Sequence, residues 1–257
     1  MKLELDDKNI FISASSDGTG RAIAESFLAE GANVSINGRD EKKLVKCHDE
    51  LVKVYGHHVN TICADASEEN GISKIAEELS QKHQALDGLV CCLGSGKPME
   101  QDKLAPREWQ GLMNINLYSA ESLVRKLLPL MKIAKSSSIV FISSIAAKEY
   151  NGAPYAYAAA KGGILTLAKY LSHDFAQFGI RVNTVMPGNI FYEGGRWDEL
   201  VQQDEAGVKK YIDGNVPMKR FATTKEIADA VVFLSSARSS FTTGAVLTVD
   251  GGQMLGY

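Results

Sequence analysis

The chain has 257 residues, 45% of them apolar and 23% charged, with 28 lysines and arginines against 31 aspartates and glutamates and a net charge of −3. That length suits one large α/β domain with ample material for a core, and the slightly acidic balance argues against nucleic-acid binding, which needs a basic face. No run of about 18 apolar residues spans a membrane, the opening residues are charged rather than apolar, and the four cysteines form no CxxC pair, so a cytoplasmic protein is expected.

Short apolar runs predict strands at 9–13, 33–37, 59–64, 88–93, 138–143, 181–186 and 246–249. Most lack strict alternation, as expected where both faces of a strand are covered. Between them apolar residues fall at helical spacing. Ile23, Phe27 and Leu28 mark a first helix that stops at Glu30 and Gly31, and others cover about 41–55, 71–82, 107–131, 155–175 and 225–234. This alternation predicts an α/β fold in one domain over residues 1–257. Its core would be a doubly wound parallel sheet of about seven strands flanked by helices, binding ligands at the carboxyl ends of the strands. One stretch breaks the rhythm. Residues 189–222, with several glycines and Phe191, Tyr192, Trp197 and Tyr211, are expected to form a substrate-covering insertion with a short helix near 197–210. Tyr192 and Trp197 are its candidate substrate contacts; the alternative is an aromatic cluster that packs the loop down.

The first strand runs into Ser13-Ala14-Ser15-Ser16-Asp17-Gly18-Thr19-Gly20, where a helix opens. Small residues there let the backbone approach a pyrophosphate, and the helix N-terminus supplies N–H groups and positive dipole. Further on, Ser144 closes the fifth strand, and Tyr157 and Lys161 stand at i and i+4 on one helix face. A tyrosine with a pKa near 10 is a poor base; a nearby ammonium lowers that value and makes proton exchange with a substrate oxygen practicable. Ser144 can hydrogen-bond the same oxygen. The five histidines show no ligand spacing, so no metal site is expected. Cys91 and Cys92 are read as small hydrophobes on opposite faces of a buried strand.

With these residues the sequence resembles the short-chain dehydrogenase/reductase family over essentially its whole length. Ser13–Gly20 matches the family's glycine-rich loop, Asp65 in Ala64-Asp65-Ala66 its acidic residue after strand three, and Cys91-Cys92-Leu93-Gly94 its NNAG position. Asn116, Ser144, Tyr157 and Lys161 match the catalytic tetrad, Pro187-Gly188 the PG after strand six, and Asp250-Gly251-Gly252 the C-terminal signature. The resemblance implies a Rossmann-like fold and a hydride transfer between a nicotinamide cofactor and a carbonyl/alcohol pair. Tyr157 would be the acid or base and Ser144 would orient the reacting oxygen. Lys161 would bind the nicotinamide ribose and depress the tyrosine pKa, and Asn116 would hold a water that links Lys161 to solvent. Cofactor contacts are expected from Ser13, Ser15, Asp17, Gly18, Thr19, Gly20, Asp65, Ala66, Leu93, Gly94, Pro187, Gly188 and Ile190, together with Tyr157 and Lys161. The implied assembly is a homotetramer or homodimer.

Departures bear on detail. Ala14 replaces the loop's first glycine, cysteines replace the asparagines of NNAG, and Tyr192 stands where a threonine usually holds the carboxamide. Where an NAD enzyme commonly places an aspartate near Gly38, this chain has Arg39, a planar cation suited to a 2′-phosphate, so NADP(H) is favoured over NAD(H). The substrate is a small carbonyl or alcohol. It is either a 3-oxoacyl thioester, as in the oxoacyl reductases the overall pattern resembles, or a sugar or polyol, which the polar and aromatic 189–197 segment suits. A non-catalytic dinucleotide-binding regulator is the reading from another class.

Overall fold

In the computed structural model, which describes residues 2–96 and 104–256, nine strands follow in chain order. They are β1 (Asn9–Ile12), β2 (Asn33–Gly38), β3 (Val59–Cys63), β4 (Gly88–Cys91), β5 (Ser137–Ile142), β6 (Ile180–Pro187), β7 (Ile190–Phe191), β8 (Ala222–Thr223) and β9 (Val246–Val249). Seven of them form one parallel sheet in the order β3-β2-β1-β4-β5-β6-β9. The apolar runs end up in these strands because both faces are covered: every residue of β4 and β5 is buried.

The helices are α1 (Gly18–Ala29), α2 (Glu41–Tyr55), α3 (Glu69–Lys82), α4 (Pro106–Met113), α5 (Ser119–Ile133), α6 (Tyr155–Asp174), α7 (Arg196–Asn215) and α8 (Thr224–Ser235). On one face α1, α2 and α8 bury Phe27, Leu44 and Val231 with Ile12 and Val140. On the other, α3, α5 and α6 bury Ile75, Leu127 and Ile164 with Phe11 and Phe141. Each such side chain contributes about 1.5–3 kcal/mol relative to exposure. The chain winds outward from β1 to β3 and then returns to place β4 on the other side of β1. That reversal opens a crevice at the carboxyl ends of β1 and β4.

The structure departs from the predicted elements in three places. The helix expected over 107–131 is α4 and α5 joined by a π-helical turn, Asn114–Tyr118, which carries Asn116. The short helix expected near 197–210 is the longer α7, with non-helical backbone at Asp204. The insertion is tied down by β7 and β8, which pair with each other in parallel outside the main sheet. Each is only two residues long, too short for any periodicity to show.

Candidate active site

The loop between β1 and α1 is held from behind. The Ser13 hydroxyl accepts the N–H groups of Cys92 (3.0 Å) and Leu93 (3.2 Å), which fixes the exit of β4. The Ser15 hydroxyl donates to Ile12 O (2.7 Å) and accepts the Asn37 N–H (2.9 Å). Both serines are fully buried and their hydroxyls are engaged inside the fold, behind the loop expected to contact the cofactor. Asn37, which the sequence reading did not single out, ties three strands together. Its Oδ1 accepts the Ala14 N–H (3.2 Å) and its Nδ2 donates to Ile62 O (2.9 Å) and Ala64 O (3.0 Å). Ala14 takes a left-handed φ of 51°. At Gly20 an added Cβ would lie 2.8 Å from Ser15 Cα, so only glycine lets α1 start this close to the loop. Asp17 caps α1, its carboxylate accepting the Gly18 N–H at 2.7 Å.

In front of this loop lies the inner half of the crevice, a cavity of about 260 Å³ walled by Asp17, Thr19, Gly20, Cys92, Gly94, Ser144, Tyr157, Lys161, Pro187, Gly188, Ile190 and Tyr192. The Tyr157 hydroxyl hydrogen-bonds Ser144. Lys161, 4% exposed, donates from Nζ to Ile142 O at 2.9 Å. A Cβ added at Gly94 would come within 2.8 Å of Lys161 Nζ and 2.9 Å of Asn116 Oδ1. Asn116 is itself locked: Oδ1 accepts the Ser95 N–H (2.9 Å), and Nδ2 donates to Ser95 O (3.0 Å) and Leu112 O (3.0 Å). The structure thus brings the four tetrad positions to one end of the crevice. The widened turn at Asn116 is of the kind often found at functional sites.

Burial pushes the Lys161 ammonium down to about 8, against the opposing influence of Cys92 and Cys91. Burial also raises the Tyr157 phenol above its ordinary value, partly offset by the bond with Ser144. This differs from the expected depression by Lys161. The ammonium lies 5.7 Å from the ring centroid, so removal of the phenol from water dominates. Tyr157 is therefore a phenol at neutral pH. Cys92 faces the cavity as a thiol, pushed up to about 11 by burial; Cys91 is buried on the other side, its Sγ toward Ala120 O.

The outer half, about 470 Å³, is walled by Ser16, Asn37, Arg39, Lys43, Asp65, Ala66, Leu93 and Gly94. Arg39 Nη1 pairs with Asp65 Oδ2 at 3.3 Å. Burial pushes Asp65 up, but hydrogen bonds from Ser67 and Arg39 outweigh it and hold the carboxyl below its usual range. Lys43 is a second cation here that the motif reading missed. Asp40 caps α2 instead, accepting the Lys43 N–H at 3.1 Å.

Tyr192 stands at the junction and lines both halves. Its ring lies between Gly18 and Gly195, each of which would bring a Cβ within 2.8 Å of it. Trp197 is elsewhere. It packs on Tyr211 (5.2 Å between centroids) and Phe221 (5.1 Å), and Phe191 joins Phe221 at 5.7 Å. The structure thus places Trp197, expected as a substrate contact, in the aromatic cluster that packs the insertion. Among the described residues no group of three or more His, Cys, Asp or Glu could hold a metal ion, and no helix is long and apolar enough to cross a membrane.

A family model described as enoyl-(acyl carrier protein) reductase matches residues 13–254. A glucose 1-dehydrogenase of Gluconobacter oxydans is 32% identical over 254 residues, covering 96% of this chain and 92% of the relative. The 3-oxoacyl-[acyl-carrier-protein] reductase FabG of Chlamydia muridarum is also 32% identical, over 248 residues, covering 96% and 97%. The crystal structure of L-sorbose reductase from Gluconobacter frateurii, complexed with NADPH and L-sorbose, superposes with a TM-score of 0.94 at 28% identity over 100% of both chains.

Proposed function

The chain belongs to the short-chain dehydrogenase/reductase family and is an oxidoreductase that interconverts a carbonyl and an alcohol, and we propose that it reduces a polyhydroxylated ketone with NADPH. The observation that carries the reaction class is the set of Ser144, Tyr157 and the buried Lys161 lining one crevice at the sheet's switch point. The full-length likeness to L-sorbose reductase supports the ketose. The likeness to FabG favours the second reading, a 3-oxoacyl thioester.

The residues fit a dinucleotide. Both cavities share Ala14, Asp17, Gly94, Ser95 and Tyr192 and so form one crevice, and glycine at 94 keeps its floor open. Arg39 and Lys43 would hold the 2′-phosphate, Asp65, Ala66 and Leu93 would border the adenine, and Thr19 with Gly20 at the start of α1 would face the pyrophosphate. The nicotinamide, when bound, supplies the hydride. Tyr157 Oη gives its proton to the substrate oxygen as the alcohol forms, and the Ser144 hydroxyl donates a second hydrogen bond to that oxygen. Below pH about 8 the Lys161 ammonium stabilises the phenolate left on Tyr157. Asn116 and Gly94 keep Lys161 in place.

Exposed Tyr155 and Tyr170 on α6 and Ile133 on α5 support a homo-oligomer, dimer or tetramer, through those helices. The four free cysteines support a cytoplasmic location. The test is oxidation of NADPH by purified protein with L-sorbose and other ketoses against acetoacetyl thioesters. Turnover on ketoses is expected. Turnover on the thioesters alone replaces the substrate class, and NADPH binding without turnover across the whole panel points to the regulator.

A further inference from the structure

Three parts of the site that are far apart in sequence meet on one short segment, residues 250–256. At its start the Asp250 carboxylate accepts the N–H groups of Gly252 (2.9 Å) and Met254 (2.8 Å), which folds the segment back on itself. Gly188 of the crevice wall packs on this turn so closely that an added Cβ would lie 2.9 Å from Asp250 Cα. In the middle, Gln253 Oε1 accepts from Asn189 Nδ2 (2.8 Å), and Gln253 Nε2 donates to the Tyr211 hydroxyl on α7 (3.2 Å). At the far end Glu149 accepts the Leu255 N–H on both carboxylate oxygens (2.8 and 3.0 Å) and also the Gly256 N–H.

Glu149 lies in the loop that leaves Ser144 and re-enters α6 just ahead of Tyr157. Leu255 leaves its side chain 93% exposed, so apolar burial does not hold the segment there. The attachment is the carboxylate and its N–H partners, a charge-assisted contact. At Gly256 an added Cβ would sit 3.1 Å from Glu149 Oε1, so the backbone passes close to the carboxylate.

We propose that residues 250–256 are a strap joining α7 to the loop between Ser144 and Tyr157, with Glu149 and Gln253 as positioning residues that set which carbonyl substrates reach Tyr157. The proposal rests on the proposed function and on the position of 189–222, whose Ile190 and Tyr192 wall the cavity in front of Tyr157, as the cover over the substrate. A strap anchored at both ends transmits a break at one end to the other, whereas a local clasp does not.

Hydrogen–deuterium exchange on the full-length protein separates the two. Glu149→Ala should speed exchange about fivefold in 250–256 and also around Tyr211 in α7; Gln253→Ala should do the same in α7 and in the loop carrying Glu149. Glu149→Gln, which keeps an acceptor oxygen, should restore most of the protection. With the best ketone of the panel above, Glu149→Ala should raise KM about fivefold while kcat and the NADPH Kd stay within about twofold. Exchange changes confined to 254–256, or an unmoved KM, would overturn the strap. If no ketone of the panel turns over, the exchange experiment still decides, so failure of the proposed substrate is distinct from failure of the strap.

Discussion

The two halves of the crevice are built from opposite materials. The inner half holds Lys161 at 4% exposure, with its ammonium on a backbone carbonyl and Gly94 packed beside it. The outer half holds Arg39, whose side chain is 73% exposed and paired with Asp65 across 3.3 Å. Charges fixed and dried by the fold act strongly on a reacting bond and need no rearrangement at the moment of reaction. Exposed charges are screened by salt and contribute little to stability, but they can be exchanged without disturbing the core. Chemistry is thus assigned to the buried end and cofactor recognition to the wet one.

The division is tested hardest at Tyr157. Tyr157→Phe removes only the proton-donating hydroxyl, so turnover should fall about 10²–10⁴-fold while the NADPH Kd, read by fluorescence, stays within about twofold. A turnover close to that of the parent would break the assignment of chemistry to the inner half.

Lys161 gives the next effect. Its folded pKa of about 8 lies below the ordinary lysine value of 10.5, so its charge is lost as pH rises through about 8. Turnover should fall roughly tenfold per pH unit above about 8, and Lys161→Arg, which does not titrate there, should flatten that limb. Stability runs the other way. Between about pH 8 and 10.5 the unfolded chain binds this proton more tightly, so the contribution of Lys161 to stability rises with pH across that window, against the opposite contributions of the buried Cys47, Cys92 and Tyr157. The charged lysine costs about 3 kcal/mol of stability below it. Urea melts at pH 7 and 10 on the parent and Lys161→Met isolate this contribution: the stability of the parent relative to the variant should rise between the two pH values.

At the wet end, Arg39→Ala should weaken NADPH about tenfold and NADH hardly at all. The difference should shrink as salt is raised. Equal weakening of both cofactors in fluorescence titrations would remove the phosphate from that end. The smallest effect is in the loop between the halves. Ala14 holds a left-handed φ of 51°, which costs a residue with a side chain about 1–2 kcal/mol. Ala14→Gly should recover about 1 kcal/mol in urea unfolding, partly offset by glycine's greater freedom when unfolded.

The sheet and its helices were legible in the sequence because strands covered on both faces read as unbroken apolar runs, and all seven of the main sheet fall within two residues of the predicted runs. The tetrad positions were legible as residue types at fixed spacing. Orientation was not. Ser13 and Ser15 look like ligands of a phosphate in a one-dimensional motif, yet hydrogen bonds to Cys92, Leu93, Ile12 and Asn37 hold both hydroxyls inside the fold. Asn37 is one polar residue in a strand until its three partners on neighbouring strands are known. The π-helical turn leaves no trace in Asn114-Ile115-Asn116, which continues a helical pattern, and Trp197 joins partners, Tyr211 and Phe221, that only the folded insertion brings near.

Gly94 carries a consequence for how this scaffold can change. One hydrogen atom there separates two groups that must both stay put, so a single methyl would unseat lysine and asparagine together. Selection for a new dinucleotide therefore has free play at 39 and 43 and almost none at 94. Variants would diversify from the rim inward, and their reaction would stay the same while their partners change.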